Sequence, residues 1–519
     1  MSYPPPQGSQ PYAQGYPPQG GYQDNYQAQS ALPGGANDHQ ADYKTGPQGG
    51  QLGGFAVAAP PPQPKFKFKD PVFAVLWILV FGGFVAVSVI SLRGYVSAGA
   101  TARLDSGGPN NFLEANTLNG ETASLLTLSC GVALLFSILY LLAVRYFTRF
   151  ILEATLLINT LATVAYCVFL WVKGQTTGAI IFTIFAVLSV IAYWFMRKKI
   201  PLAKLLLRAV LSASNTYKAT YVAALLGTLV QAAFSVWTAW TLVAIYVRFS
   251  GSGGTGGSRG SGATTGLVVL TIFNWYWTSE LIKAIAFTTT AGTFGVWYYS
   301  NDSKKVPHAT LSSFKRASTW SLGSLAFGSL VLAILDIIRA LINILSQQAA
   351  QDGDMIGVVV GCIASCLIAT IDWLIEFFNR LAYVNIALYG NGYIGAAKET
   401  WRLVKQKGVD ALIQDSLVNT VFGIGSFVIA ILCGITVYAY LTVVNPTYVR
   451  NDSNYFSVVI LYAILLGFQI ALSMGSSINS GVLTLFVGLA EDPHVLAQRD
   501  PELFEAIRQQ YPQVVNAVA

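Results

Sequence analysis

Residues 274–299 read NWYWTSELIKAIAFTTTAGTFGVWYY, the second part of an apolar run that begins near residue 267. A run of this length crosses a bilayer as a helix, because hydrocarbon offers an irregular backbone no hydrogen-bond partners. Inside it, Glu280 and Lys283 stand three residues apart, with Trp277 three and Tyr276 four residues before the acid. On a helix all four fall along one face. A carboxylate at membrane depth is costly unless it is paired, neutralised or turned toward a wet cavity. Two accounts fit. In one, aromatic faces and the acid form a pocket for a cation, a quaternary ammonium above all. In the other, Glu280 pairs with Lys283 and the aromatics pack against neighbouring spans.

The surrounding chain is made for lipid. Hydrophobic residues are 54% of the 519 and charged residues 11%, against about 25% charged in soluble domains. Ten segments are long and apolar enough to span, at roughly 71–92, 122–144, 150–172, 178–196, 219–247, 267–299, 320–345, 356–378, 417–443 and 457–476. If the N-terminus is cytosolic, 23 of the 31 Lys and Arg fall in cytosolic segments, six in outer ones and two within spans. Basic residues accumulate on the cytosolic side. The pattern therefore predicts an all-α polytopic membrane protein with ten transmembrane helices and both termini cytosolic. The excess of base over acid follows from that topology and implies no nucleic-acid partner.

Outside the bundle (residues 70–490) the expectations are simpler. Residues 1–69 form a leader rich in Pro, Gly, Gln and Tyr, and its first 64 residues hold 12 of the 20 prolines. Such a segment cannot bury enough apolar surface to offset its ordering entropy and is expected to be disordered. Solubility is its simplest role, with adaptor binding or trafficking as others. No apolar core near Met1 suggests a cleaved signal. Residues 250–266 read as a Gly/Ser tether, and Asn301 and Asn451 head N-x-S sequons. The topology puts only Asn451 outside, where it could carry glycan. Residues 380–415 read as an amphipathic cytosolic stretch broken by a Tyr-Gly-Asn-Gly turn at 389–392, its second half a helix with a basic face toward anionic headgroups. The segment 477–490 is expected to lie on the cytosolic side or to insert partly. In the tail, 491–519, Asp492-Pro and Asp500-Pro are helix starts.

Other polar groups in the spans are few. Asp336 and Arg339 are spaced for a buried ion pair that fixes packing, and Asp372, Glu376 and Arg380 for a surface clamp. Gly357, Gly361 and Ser365, and again Ser324 and Gly328, recur every four residues, a spacing that lets helices approach closely within the chain. No proline interrupts a span core, so a broken helix would have to use Gly292/Gly295 or Gly423/Gly425. The five cysteines lie in apolar segments without zinc spacing, and the three histidines lie outside the spans. Metal sites, cofactors and enzymatic chemistry are not expected, since the spans offer no His and no acidic cluster. By rise per residue, Trp237 and Trp277 lie ~15 Å deep, so Trp237, Trp240, Tyr276 and Trp277 could cage a cation with Glu280 as counter-ion.

Three longer motifs are specific. WTSELIKA with TTTAGTFGVWYY (277–299), GSLAFGSL (323–330) and NRLAYVNIALYG with AAKETWRL (379–403) resemble the choline transporter-like family, and the leader resembles its fungal "pH nine sensitive" branch. The resemblance implies a ten-span plasma-membrane transporter, with choline or a related amino-alcohol as the substrate class. The expected function is alternating-access transport of a small organic cation; a non-transporting scaffold that recruits lipid or cytosolic adaptors is the alternative.

Overall fold

The computed structural model describes residues 68–102, 120–174, 176–249, 260–300, 306–351, 355–444 and 453–510. The leader up to residue 67, Asn301 and Asn451 lie outside the described residues, and so do the expectations attached to them. Among the described residues the secondary structure is helical throughout. In chain order the helices are α1 (Pro71–Ala102), α2 (Gly120–Tyr146), α3 (Thr148–Val172), α4 (Thr176–Arg197), α5 (Ile200–Thr216), α6 (Ala219–Phe249) and α7 (Gly260–Tyr299). They continue as α8 (Ala309–Ser318), α9 (Leu322–Gln351), α10 (Met355–Tyr389), α11 (Tyr393–Val444), α12 (Ser453–Glu491), α13 (Pro493–Arg499) and α14 (Pro501–Gln510).

Six stretches within these helices are long and apolar enough to cross a membrane: Pro71–Arg93, Thr148–Val172, Ala219–Leu242, Leu322–Ala349, Leu417–Val443 and Ala463–Glu491. The segment around Glu280 is not among them, because Asn274, Glu280, Lys283 and a row of threonines dilute its apolar character. The outer surfaces match this character. Val72, Leu79, Phe150 and Trp194 are each more than 60% exposed, an arrangement that suits lipid and not water. The chain is a multi-pass membrane protein.

α7 is the hub, packed against α1, α6, α8, α9, α10 and α12. The largest core gathers at one end of the bundle, where Leu202, Leu206 and Leu207 of α5 meet Val482, Leu483 and Phe486 of α12. Residues 477–490 continue α12 without interruption and are its most buried part. α7 and α11 run unbroken through Gly292/Gly295 and Gly423/Gly425. The small-residue seams are internal. A methyl group on Gly361 would meet Ser346 of α9 at 2.6 Å, and one on Gly328 would meet the Tyr383 hydroxyl of α10 at 2.6 Å.

The stretch 380–415 divides between two helices. α10 continues to Tyr389, Gly390 turns the chain with φ of 67°, and α11 starts at Tyr393. From there the first turns of α11 reach from Phe327 of α9, ring to ring with Tyr393 at 4.7 Å, to the end of α12, where Arg402 pairs with Glu491 at 3.2 Å. The two Asp-Pro steps each start a helix, α13 and α14. α13 seals the end of α7: Tyr298 donates to the Asp492 carbonyl at 2.9 Å, and Tyr299 to its carboxylate at 2.7 Å.

Candidate functional site: a charged cavity between α7 and α10

A partly open cavity of about 590 Å³ lies between α6, α7, α10, α11 and α12, within the size range of small-molecule sites. α7 supplies Glu280 and Lys283, and α10 supplies Glu376 and Arg380. Amides and hydroxyls from α6, α11 and α12, among them Gln231, Asn419 and Ser473, make up much of the remaining wall. Asn479 donates to Asn419 across it at 3.0 Å.

The Lys283 ammonium meets Glu280 Oε1 at 2.6 Å, as the spacing predicts for a helix. The two partners differ in exposure: the Glu280 side chain is 14% accessible and that of Lys283 53%. Both side chains line the cavity. Glu376 and Arg380 lie 3.9 Å apart one turn down α10 and belong to the cavity wall, not to a surface clamp.

Behind this wall stand Asp336 and Arg339 of α9 and Asp372 of α10. The expected Asp336–Arg339 pair does not form. Arg339 reaches across to the Asp372 carboxylate instead, because a neighbouring helix offers straighter access to the guanidinium than its own previous turn. Asp336 makes no hydrogen bond or ion pair among the described residues, yet it lies within electrostatic reach of Glu280, Asp372, Lys283 and Arg339. Acids scattered along the sequence thus gather in space. The layer holds four carboxylates (Glu280, Asp336, Asp372, Glu376) against three cations (Lys283, Arg339, Arg380).

The aromatic cage does not assemble. Trp277 is 1% exposed and turned toward α9, donating to the Ala326 carbonyl at 2.9 Å. Trp237 donates to Ser88 of α1 at 2.7 Å and packs edge-on against Phe84. Trp240 is 55% exposed on the outer face of α6, and Tyr276 lies edge-on to Trp275. None of the four lines the cavity. Equal depth places residues at one level but says nothing about the direction they face.

A second polar centre joins α1, α9 and α11. Asp70 precedes α1 with φ of 51°, and its carboxylate accepts from Ser324 Oγ and from the Tyr393 backbone amide, each at 2.7 Å. Tyr393 in turn donates to Asn379, which donates to the Gly328 carbonyl at 3.0 Å and lines the cavity. Sequence reasoning missed this clamp, because its members lie up to 323 positions apart. The signal that could have flagged it was an acid directly before the proline that opens the first apolar run.

Fold and site together define a polytopic helical membrane protein with a charged, partly open cavity among its helices. The family described as plasma-membrane choline transporter matches residues 180–494, and the chain belongs to it. Its relatives include Protein PNS1 of Mycosarcoma maydis, 53% identical over 88% of this chain and 85% of that protein. Protein PNS1 of Cryptococcus neoformans is 40% identical over 98% and 90%, and that of Yarrowia lipolytica 33% over 86% and 79%.

Proposed function

We propose that the protein transports a small organic cation, choline or a related amino-alcohol, by alternating access across the plasma membrane, through ten spans with both termini cytosolic. The observation that carries this is the charge imbalance beside the cavity, four carboxylates against three cations. One further positive charge completes the layer, and a soluble monovalent cation is the natural candidate for a site that water reaches. Family membership supports transport, and the substrate named in the family's description supports choline. A scaffold would gain nothing from an acid on a partly open cavity, whereas a carrier needs one that solute can approach.

Uptake of labelled choline into vesicles, wild type beside Glu280→Gln, tests the reading. Saturable uptake lost in the variant is expected. Absence of uptake by the wild type, or equal uptake by both, overturns it. Ser473→Cys, on the α12 wall of the cavity, probed with a membrane-impermeant thiol reagent, is expected to react and to be protected by choline.

A further inference from the structure

We infer that Lys283 is a tethered stand-in for the transported cation: its ammonium occupies Glu280 in the empty carrier, and the substrate must displace it in order to bind. The inference rests on the transport reading above and adds a role that this reading does not contain.

The geometry is that of a replaceable partner. The ammonium contacts the acid through a single oxygen, Oε1, at 2.6 Å, and makes no other hydrogen bond among the described residues. The acid is 14% accessible, while the lysine side chain is 53% accessible and lines the cavity. Lysine carries its charge on a flexible four-carbon stem with rotatable donors, so it can swing where an arginine fork would stay locked. It also has somewhere to go. Asp336 and Glu376 both act on the Lys283 charge, and Asp336 has no bonded partner among the described residues. Displacement therefore moves the ammonium from one carboxylate toward another without leaving a bare charge.

Two consequences follow from linkage. While Lys283 sits on Glu280, apparent affinity for an external cation is reduced by the fraction of time that the acid is free. Lys283 also compensates Glu280 in the empty site. Without it, the empty carrier has to change sides with two uncompensated carboxylates in place of one, which the membrane interior penalises. Lysine thus weakens binding but permits return.

The test compares Lys283→Met, Lys283→Arg and wild type for labelled choline in vesicles, as net uptake and as exchange against internal choline, with detergent melting to confirm folding. Lys283→Met is expected to lower the half-saturation concentration about tenfold, lose net uptake and keep exchange. Lys283→Arg, whose fork grips a carboxylate through two bonds, is expected to raise the half-saturation concentration. Equal half-saturation in all three proteins, or an unchanged ratio of exchange to net uptake in Lys283→Met, overturns the inference while transport stands. If Lys283→Met does not fold, the arginine variant decides alone: half-saturation at or below the wild-type value overturns the inference. No uptake by the wild type overturns the transport reading and this inference with it.

Discussion

The Asp70 carboxylate accepts from a hydroxyl and a backbone amide at 2.7 Å each, whereas the Glu280 carboxylate is met by one lysine whose side chain is half open to a cavity. Both acids sit inside a helical bundle, but their partners differ in mobility. Asp70 is bound by the first amide of α11 and by Ser324 on α9, groups fixed by the helices that carry them. Replacing those bonds would require the helices themselves to move. Glu280 is bound by a flexible ammonium, for which another cation could substitute. The first arrangement locks a fold, and the second leaves an acid that can be traded.

The sharpest way to break this contrast is to neutralise each acid. Glu280→Gln is expected to cut choline uptake on the order of 100-fold, since losing one member of a desolvated charge pair costs about 2–5 kcal/mol. Its unfolding midpoint in detergent should move little, because the orphaned Lys283 side chain is 53% accessible. Asp70→Ala should do the reverse. It removes two hydrogen bonds to a carboxylate, each contributing about 1.5–3 kcal/mol, and lowers thermal stability while leaving the half-saturation concentration for choline near wild type. A large stability loss in Glu280→Gln, or a selective affinity change in Asp70→Ala, would erase the distinction.

How much of this was legible in the sequence differs between the two acids. Glu280 announced itself because charge is rare in a span, and its i,i+3 lysine was readable from helical spacing. The positions of the apolar runs were readable for the same reason, that lipid imposes a length and a composition. Direction around each helix axis was not. Trp277 and Glu280 are three residues apart, yet one faces α9 and the other the cavity. Only the packing of α9 against α7 decides where the boundary between those faces falls. Likewise Arg339 had two acids in reach, Asp336 on its own helix and Asp372 on the next, and local spacing favoured the wrong one. The partners of Asp70 were not legible, because they are set by tertiary closure over hundreds of positions.

A finer division runs within the charged layer. Arg339→Met leaves Asp372, 14% accessible, without its cation, and breaking such a pair typically costs about 3–5 kcal/mol when fully buried. The Arg339 side chain is 36% accessible, so a smaller loss of about 1–2 kcal/mol is expected, read as a lower melting temperature. Asp336→Asn should be nearly neutral for stability, since Asp336 has no bonded partner among the described residues. If Lys283 swings to Asp336 when substrate binds, the same substitution should nevertheless weaken choline binding several-fold. Stability lost with binding intact would mean that Asp336 is structural after all.

The smallest effect belongs to the aromatic residues that the cavity leaves out. Trp240 is 55% exposed on the outer face of α6, where its ring exchanges one apolar neighbour, lipid, for another. Trp240→Ala should therefore change neither uptake nor melting measurably. Trp277 shares its residue type but is buried against α9, and it bonds the Ala326 carbonyl at 2.9 Å. Trp277→Ala opens a cavity and strands that carbonyl, a loss of about 3–5 kcal/mol. Its uptake should fall only in proportion to the folded protein that remains, with half-saturation unchanged. If either tryptophan substitution shifts half-saturation at constant folded amount, cation recognition extends beyond the charged layer to these rings, because ring loss on a purely structural face alters how much carrier exists and not how tightly it binds.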